Sequence, residues 1–329
     1  MALGQRGVGQ DKSEIVAELP RACMDETAAV EFMERQRWGE HPFCPHCGCL
    51  SVYKMIDAKT GERSKRFLWR CHDCKKQFTV RIGTVFEESR IPLKHWCYAF
   101  WRAATSKKGA SALEIKRQTG LSYKSALFMM HRIRYAMSDD SPSKLKGVIE
   151  MDETYVGGKP PRRPRIGPKP TESDGPRITG RGTKKTPIVA VIERGGNMRA
   201  RVVDRVTARN LRKTIEESAD TDQTKLMSDE FRSYKMLGRT FKMPHQFVRH
   251  NRGEYARGDV HVNTCESFFA LLKRGLHGVY HSVSKKHLHR YVDEFAFRWN
   301  GRKLEDGERT VAAILGAEGK RLYYKPPAA

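Results

Sequence analysis

Apolar and polar positions along this chain follow two periods. From Val148 to Val156 ("VIEMDETYV"), Val148, Ile149, Met151, Tyr155 and Val156 read as a buried strand interrupted by Asp152 and Glu153. "PIVAVIER" (187–194) and "MRARVVDRV" (198–206), joined by Gly195-Gly196-Asn197, predict a hairpin. "KLMSDEFRSY" (225–234) predicts a strand that ends at an acidic pair, and "HQFVRH" (245–250) a short strand. A helical period takes over in "ARNLRKTIEESA" (208–219), "VNTCESFFALLKRGL" (262–276) and "KKHLHRYVDEFAFRWN" (285–300). In the last of these, Leu288, Tyr291, Val292, Phe295 and Trp299 form a stripe suited to a core.

The N-terminal half is patterned differently. Asp25 to Arg37 predicts a short helix with Asp25 as N-cap. "LKHWCYAFWRAAT" (93–105) predicts an amphipathic helix with Trp96, Ala99, Phe100 and Ala103 on its core face. "SALEIKRQ", "TGLS" and "YKSALFMMHRIRYAM" (111–137) predict helix, tight turn at Gly120, and helix. That pattern fits a DNA-binding helix-turn-helix or a plain helical hairpin. Lys124, His131, Arg132 and Arg134 on the second helix favour DNA.

Two knuckles lie upstream of these helices: Cys44 and Cys47, then Cys71 and Cys74, with 23 residues between the pairs. "SVYKMID" and "KRFLWR", split by the turn-rich "AKTGERS", predict a hairpin between them. Four thiolates at this spacing suit tetrahedral Zn²⁺, and a zinc ribbon is the predicted unit. So small a ribbon buries little apolar surface, so the metal is expected to supply stability. Cys49 falls outside the knuckle spacing, and Cys23, Cys97 and Cys265 are expected to be buried or free thiols.

The chain is therefore multidomain α+β. The boundaries read as a disordered 1–24, a helix and ribbon over 25–90, a helix-turn-helix region over 91–137 and a linker over 138–146. A mixed α/β domain over 147–303 and a tail over 304–329 complete it. Between strands one and two, the segment 157–187 is rich in Gly and Pro, with nine basic and two acidic residues from Lys159 to Lys185. It is expected to be a flexible basic loop.

Composition narrows the partner. The 329 residues carry a formal net charge of +24, which points to a polyanion. No run approaches the roughly 18 apolar residues of a membrane span, and the first twenty residues lack a signal-peptide core. A soluble cytoplasmic protein with no membrane partner is expected.

Three acids stand where apolar elements give out: Asp152, Asp229 in "LMSDEF", and Glu266 in "NTCESFF". Mg²⁺ or Mn²⁺ takes hard oxygen ligands of this kind together with substrate phosphates. Two such ions about 4 Å apart serve phosphoryl displacement. Lys273, seven residues after Glu266, shares its helix face and would reach a DNA phosphate.

With "CPHCG", "CHDCKKQFTVRIGT", "EMDETYVGGK", "SDEFRSY", "HVNTCESFFALLKRGLHGVYHSVSKKHL" and "YVDEFAFRWN" in view, the chain resembles a known family. It is similar to insertion-sequence transposases of the DDE, RNase H-like type with an N-terminal zinc ribbon, the ISXO group, from about Asp25 to Asn300. The resemblance implies a mixed sheet flanked by helices and divalent-metal phosphoryl transfer. It also implies binding to terminal inverted repeats and target DNA, with a homo-oligomer on DNA. It makes Asp152 and Asp229 the first two catalytic acids. Some relatives carry Asn in the third place, so both Asn263 and Glu266 are candidates there; charge and register with Lys273 favour Glu266. Two competing readings are a zinc-ribbon DNA-binding regulator with an inactive catalytic domain, and an RNase H-like nuclease without transposition.

Overall fold

The computed structural model describes residues 12–157 and 184–323. The basic loop expected over 157–187 therefore lies almost wholly outside the described residues. The chain divides into two units, residues 1–141 with 301–329, and residues 142–300.

In the first unit, α1 (Lys12–Met24) and α2 (Glu26–Trp38) precede a three-stranded ribbon of β1 (Val52–Lys54), β2 (Trp69–Cys71) and β3 (Gln77–Phe78). Then come α3 (Leu93–Thr105), α4 (Ala112–Thr119) and α5 (Tyr123–Ala136). Asp25 caps α2 by accepting from Ala28 N, as its sequence position suggests. Residues 12–24, expected to be disordered, are instead helical. Ile15, Leu19 and Ala22 are buried at helical spacing, and Pro20 near the end of α1 disguises that pattern. The ribbon is docked on α2 and does not depend on metal alone. Trp38 meets Trp69 edge-on at 5.6 Å and Phe78 at 5.9 Å, and the buried Glu34 carboxylate accepts from Trp69 Nε1 at 2.7 Å and from Arg63.

The expected C-terminal tail also folds. A helix over Asp306–Leu315, α10 in chain order, opens with a capping box between Glu305 and Glu308 and buries Val311 and Ile314 in the first unit. Beyond it, Gly319 N donates to Gly83 O, and Arg37 grips Glu318 through Nε and Nη2 at 2.6 and 2.8 Å. The chain thus leaves this unit after α5 and returns to it at Gly301.

Ser111 and Ser122 cap α4 and α5, and Gly120 at φ 72° ends α4 in the left-handed conformation that favours glycine. The helix–turn–helix pattern is present as geometry, but its expected basic face is not. His131, Arg132 and Arg134 are buried. Arg132 donates to Val85 O and Glu87 O at 2.9 and 3.0 Å and lies over Phe128. Arg132 thus ties α5 to the segment after the ribbon, and the exposed basic positions of α4 and α5 are Lys116, Arg117 and Lys124.

The second unit is a five-stranded sheet covered on both faces. Its strands are β4 (Leu145–Val156), β5 (Thr186–Glu193), β6 (Met198–Val202), β7 (Ala219–Ser228) and β8 (His245–Phe247), in the order β6-β5-β4-β7-β8. The first three are antiparallel, whereas β4, β7 and β8 run parallel. One face packs Ile149, Met151, Val189 and Val191 against α6 (Ala208–Ser218) and α7 (Arg232–Phe241). The other packs Val156, Ile188, Ala190 and Ile192 against α8 (Asn263–Gly275) and α9 (Leu288–Asn300), where the expected stripe of Leu288, Tyr291, Val292 and Phe295 is buried. A small hairpin of β9 (Ala256–Arg257) and β10 (Val260–His261) leads into α8.

β7 stops at Ser228, just before the acidic pair, as expected; the residues that follow form helix α7, with Tyr234, Leu237 and Gly238 on its buried face. The expected linker is shorter, because β4 already begins at Leu145.

Candidate active site and zinc centre

The four knuckle cysteines converge. Cys44 and Cys74 sulfurs lie 3.6 Å apart, as do those of Cys47 and Cys71, and all four lie within 4.8 Å of one another. A tetrahedron of Zn–S bonds near 2.3 Å has edges of about 3.8 Å, so the thiolates fit Zn²⁺ without rearrangement. Cys49 stands apart from the four, its sulfur accepting from Ser51 N.

The acids are arranged by the sheet. β4 does not end at Asp152, as the sequence suggests. It continues to Val156 because β5 pairs with it over that whole stretch. What ends is β7. Glu150 pairs with Met227, so two residues further along each parallel strand Asp152 comes level with Asp229, just past the last residue of β7. Successive residues of a strand point to opposite faces. Asp152 therefore shares the α8 face with Glu150, whereas Glu153 turns to the α7 face and accepts from buried Tyr234 Oη at 2.5 Å. The adjacent carboxylates of "DE" thus do different jobs. Asp229 accepts from Phe231 N at 2.9 Å, closing the turn into α7.

Burial pushes the Asp152 carboxyl up to about 8, with repulsion from Glu153, Asp229 and Glu266 adding to it against one hydrogen bond from Glu153 N. Asp152 thus feels the charges of both other candidate acids. They do not form a tight triad, since among the described residues the four cysteines alone have ligand atoms all within 4.8 Å. The oxygen donors of Asp152, Asp229 and Glu266 come from three elements and are of the hard type that divalent cations such as Mg²⁺ take.

Glu266 and Lys273 are both exposed on α8 and seven residues apart, on one face of the helix. Asn263 is the first residue of α8 and is exposed; the N-cap position is Val262, and no side chain of α8 caps it. The cap comes from elsewhere. Glu150, wholly buried, accepts from Thr264 N at 2.8 Å and Cys265 N at 3.3 Å. This residue, Tyr234, and the pairing of Ser228 Oγ with His245 Nε2 at 2.9 Å beside Asp229 escape sequence reasoning. One signal was available for Glu150: it lies two residues before Asp152, on the same strand face.

Residues 144–300 match the family model for the ISXO2-like transposase domain, and residues 24–77 match the transposase zinc-ribbon domain. The chain is 30% identical over 284 residues to the uncharacterized protein in transposable element ISH50 of Halobacterium salinarum, an alignment covering 84% of this chain and 92% of that relative. A cysteine cluster fit for zinc and these matches lead to one conclusion: the chain belongs to the ISXO2-like DDE transposases that carry an N-terminal zinc ribbon.

Proposed function

We propose that this transposase binds the terminal inverted repeats of its insertion sequence and carries out divalent-metal-dependent DNA cleavage and strand transfer. The observation that carries this reading is the register that brings Asp152 level with Asp229, on the sheet face covered by the helix bearing Glu266. The strand order, three antiparallel and then two parallel, supports an RNase H-like catalytic domain.

In this reading Asp152 and Asp229 hold Mg²⁺ or Mn²⁺, and Glu266 completes the set. When bound, the cation neutralises charge on the phosphodiester and supplies Lewis acidity for displacement. Glu266 is favoured over Asn263 because its charge reaches Asp152, whereas the exposed Asn263 amide adds no charge. Lys273, one face along α8, positions a phosphate of the DNA end. Zn²⁺ at Cys44, Cys47, Cys71 and Cys74 is structural. DNA-end recognition falls to the first unit. There the exposed Lys116, Arg117, Tyr123 and Lys124 around the α4–α5 turn replace the buried arginines of α5 as the candidate contacts. Two ends must be paired, so the working form is a homo-oligomer on DNA.

The test is incubation of the purified protein with a duplex carrying the element's own ends and Mg²⁺, followed by mapping of nicks and joined products. Nicks at the end boundary that vanish with Asp152→Asn support the reading. Uncut DNA under conditions of tight end binding would favour the regulator instead.

A further inference from the structure

Glu150 has no part in the chemistry just described, yet its buried carboxylate accepts four hydrogen bonds. It is 0% exposed. Its Oε2 accepts from Thr264 N and Cys265 N, at 2.8 and 3.3 Å. Its Oε1 accepts from Thr264 Oγ1 and Arg194 Nε, both at 2.8 Å, with His261 Nδ1 at 3.3 Å. Arg194 extends the clamp by donating to Asp259 O at 2.6 Å and His261 O at 3.1 Å. One side chain of β4 is thereby tied to the end of β5, to the β9–β10 hairpin and to the first turn of α8.

The spacing gives this clamp a consequence. On β4, Asp152 lies two residues beyond Glu150 on the same face. On α8, Glu266 lies two residues beyond Thr264, and Asn263 lies one before it. Every candidate for the third ligand therefore sits within two residues of an atom bonded to Glu150. A carboxylate at a helix N-terminus is favoured by unpaired N–H groups and the helix dipole. An exposed cap would supply that much. Burying the charge is costly and is offset only by a full set of partners, and what the buried clamp adds is a fixed separation between strand and helix.

We propose that Glu150 is a positioning residue that sets the third metal ligand on α8 against Asp152, with Thr264 as its contact on the helix. This rests on the metal-site reading above. The test measures Mn²⁺ binding to the zinc-loaded, DNA-free protein by electron paramagnetic resonance, with Asp152→Asn defining binding outside the acid site. Thr264→Val removes the hydroxyl donor while keeping the shape; Thr264→Ser keeps the donor. Supporting groups around metal ligands are typically worth 10–100-fold in metal affinity. Thr264→Val should weaken Mn²⁺ about tenfold, Thr264→Ser less than about twofold, and Glu150→Gln by up to about a hundredfold. Zinc content and circular dichroism should stay unchanged in the Thr264 variants. Thr264→Val binding Mn²⁺ like wild type would overturn the proposal, even if Glu150→Gln fails to fold. Wild type binding no more Mn²⁺ than Asp152→Asn would instead overturn the metal-site reading beneath it.

Discussion

Asp152 is held in a place that suits it badly without a cation. Its carboxyl titrates near 8 in the fold against an ordinary value of 3.8. Between those values the native state binds a proton that the unfolded chain has released, so native stability falls as pH rises from about 4 to about 8. Asp152→Asn removes this loss. In metal-free protein at pH 8 to 9 the variant should melt higher than wild type, and the difference should vanish near pH 4. Each unit of displacement corresponds to about 1.4 kcal/mol, so the effect is on the order of a few kcal/mol. Mg²⁺ should restore wild type and leave the variant unmoved. The third ligand is tested beside it. Glu266→Gln should cut cleavage by more than about 100-fold, beyond the usual loss for a merely supporting group. Asn263→Ala should be mild. The reverse pattern, with folding intact by circular dichroism, would make Asn263 the third residue. As candidates, Asp152, Asp229 and Glu266 are legible because acids stand out at the ends of apolar runs. Glu150 is not: a lone acid within such a run carries no mark of the four donors that other segments bring to it.

Elements were legible where one period ran uninterrupted, as in α3, α8 and α9. They were misread where a residue contradicted its surroundings. Pro20 hides α1, whereas β7 ends just before the acidic pair, as its pattern predicts. The clearest misreading is α5. Its arginines read as a DNA-facing surface because charge is usually outside, but Arg132 and Arg134 are buried, which pattern alone does not reveal. A consequence separates the two roles. Arg132→Ala leaves the Val85 and Glu87 carbonyls without a charged donor, at a cost of about 1.5–3 kcal/mol. It should lower the melting temperature by several degrees. Arg117→Ala, on the exposed side of α4, should leave the melting temperature unchanged and weaken end binding. Arg132→Ala that melts like wild type but loses DNA would return α5 to its sequence-based role.

Across the whole molecule, the net charge of +24 sets a second, sequence-independent level of DNA binding. Each phosphate neutralised on duplex DNA contributes about 0.9 to the slope of log affinity against log salt. The segment 159–185 carries nine of the basic residues, so replacing it with a short neutral linker should flatten that slope. An unchanged slope would assign the phosphate contacts to the two folded units. Sequence also conveys the order of the parts, a four-cysteine ribbon ahead of a mixed sheet, because cysteine spacing and strand periods are local marks. The return of α10 to the first unit is a long-range event that no local pattern marks, which is why 304–329 reads as a tail. The central claim is that the acids gathered where β4 outruns β7 cleave DNA at the ends of the element. It is tested most directly by mapping the products of wild type and Asp152→Asn on one end-bearing duplex with Mg²⁺. The account predicts wild-type nicks at the end boundary and none from the variant, with equal end binding. Equal cleavage by both proteins would contradict it.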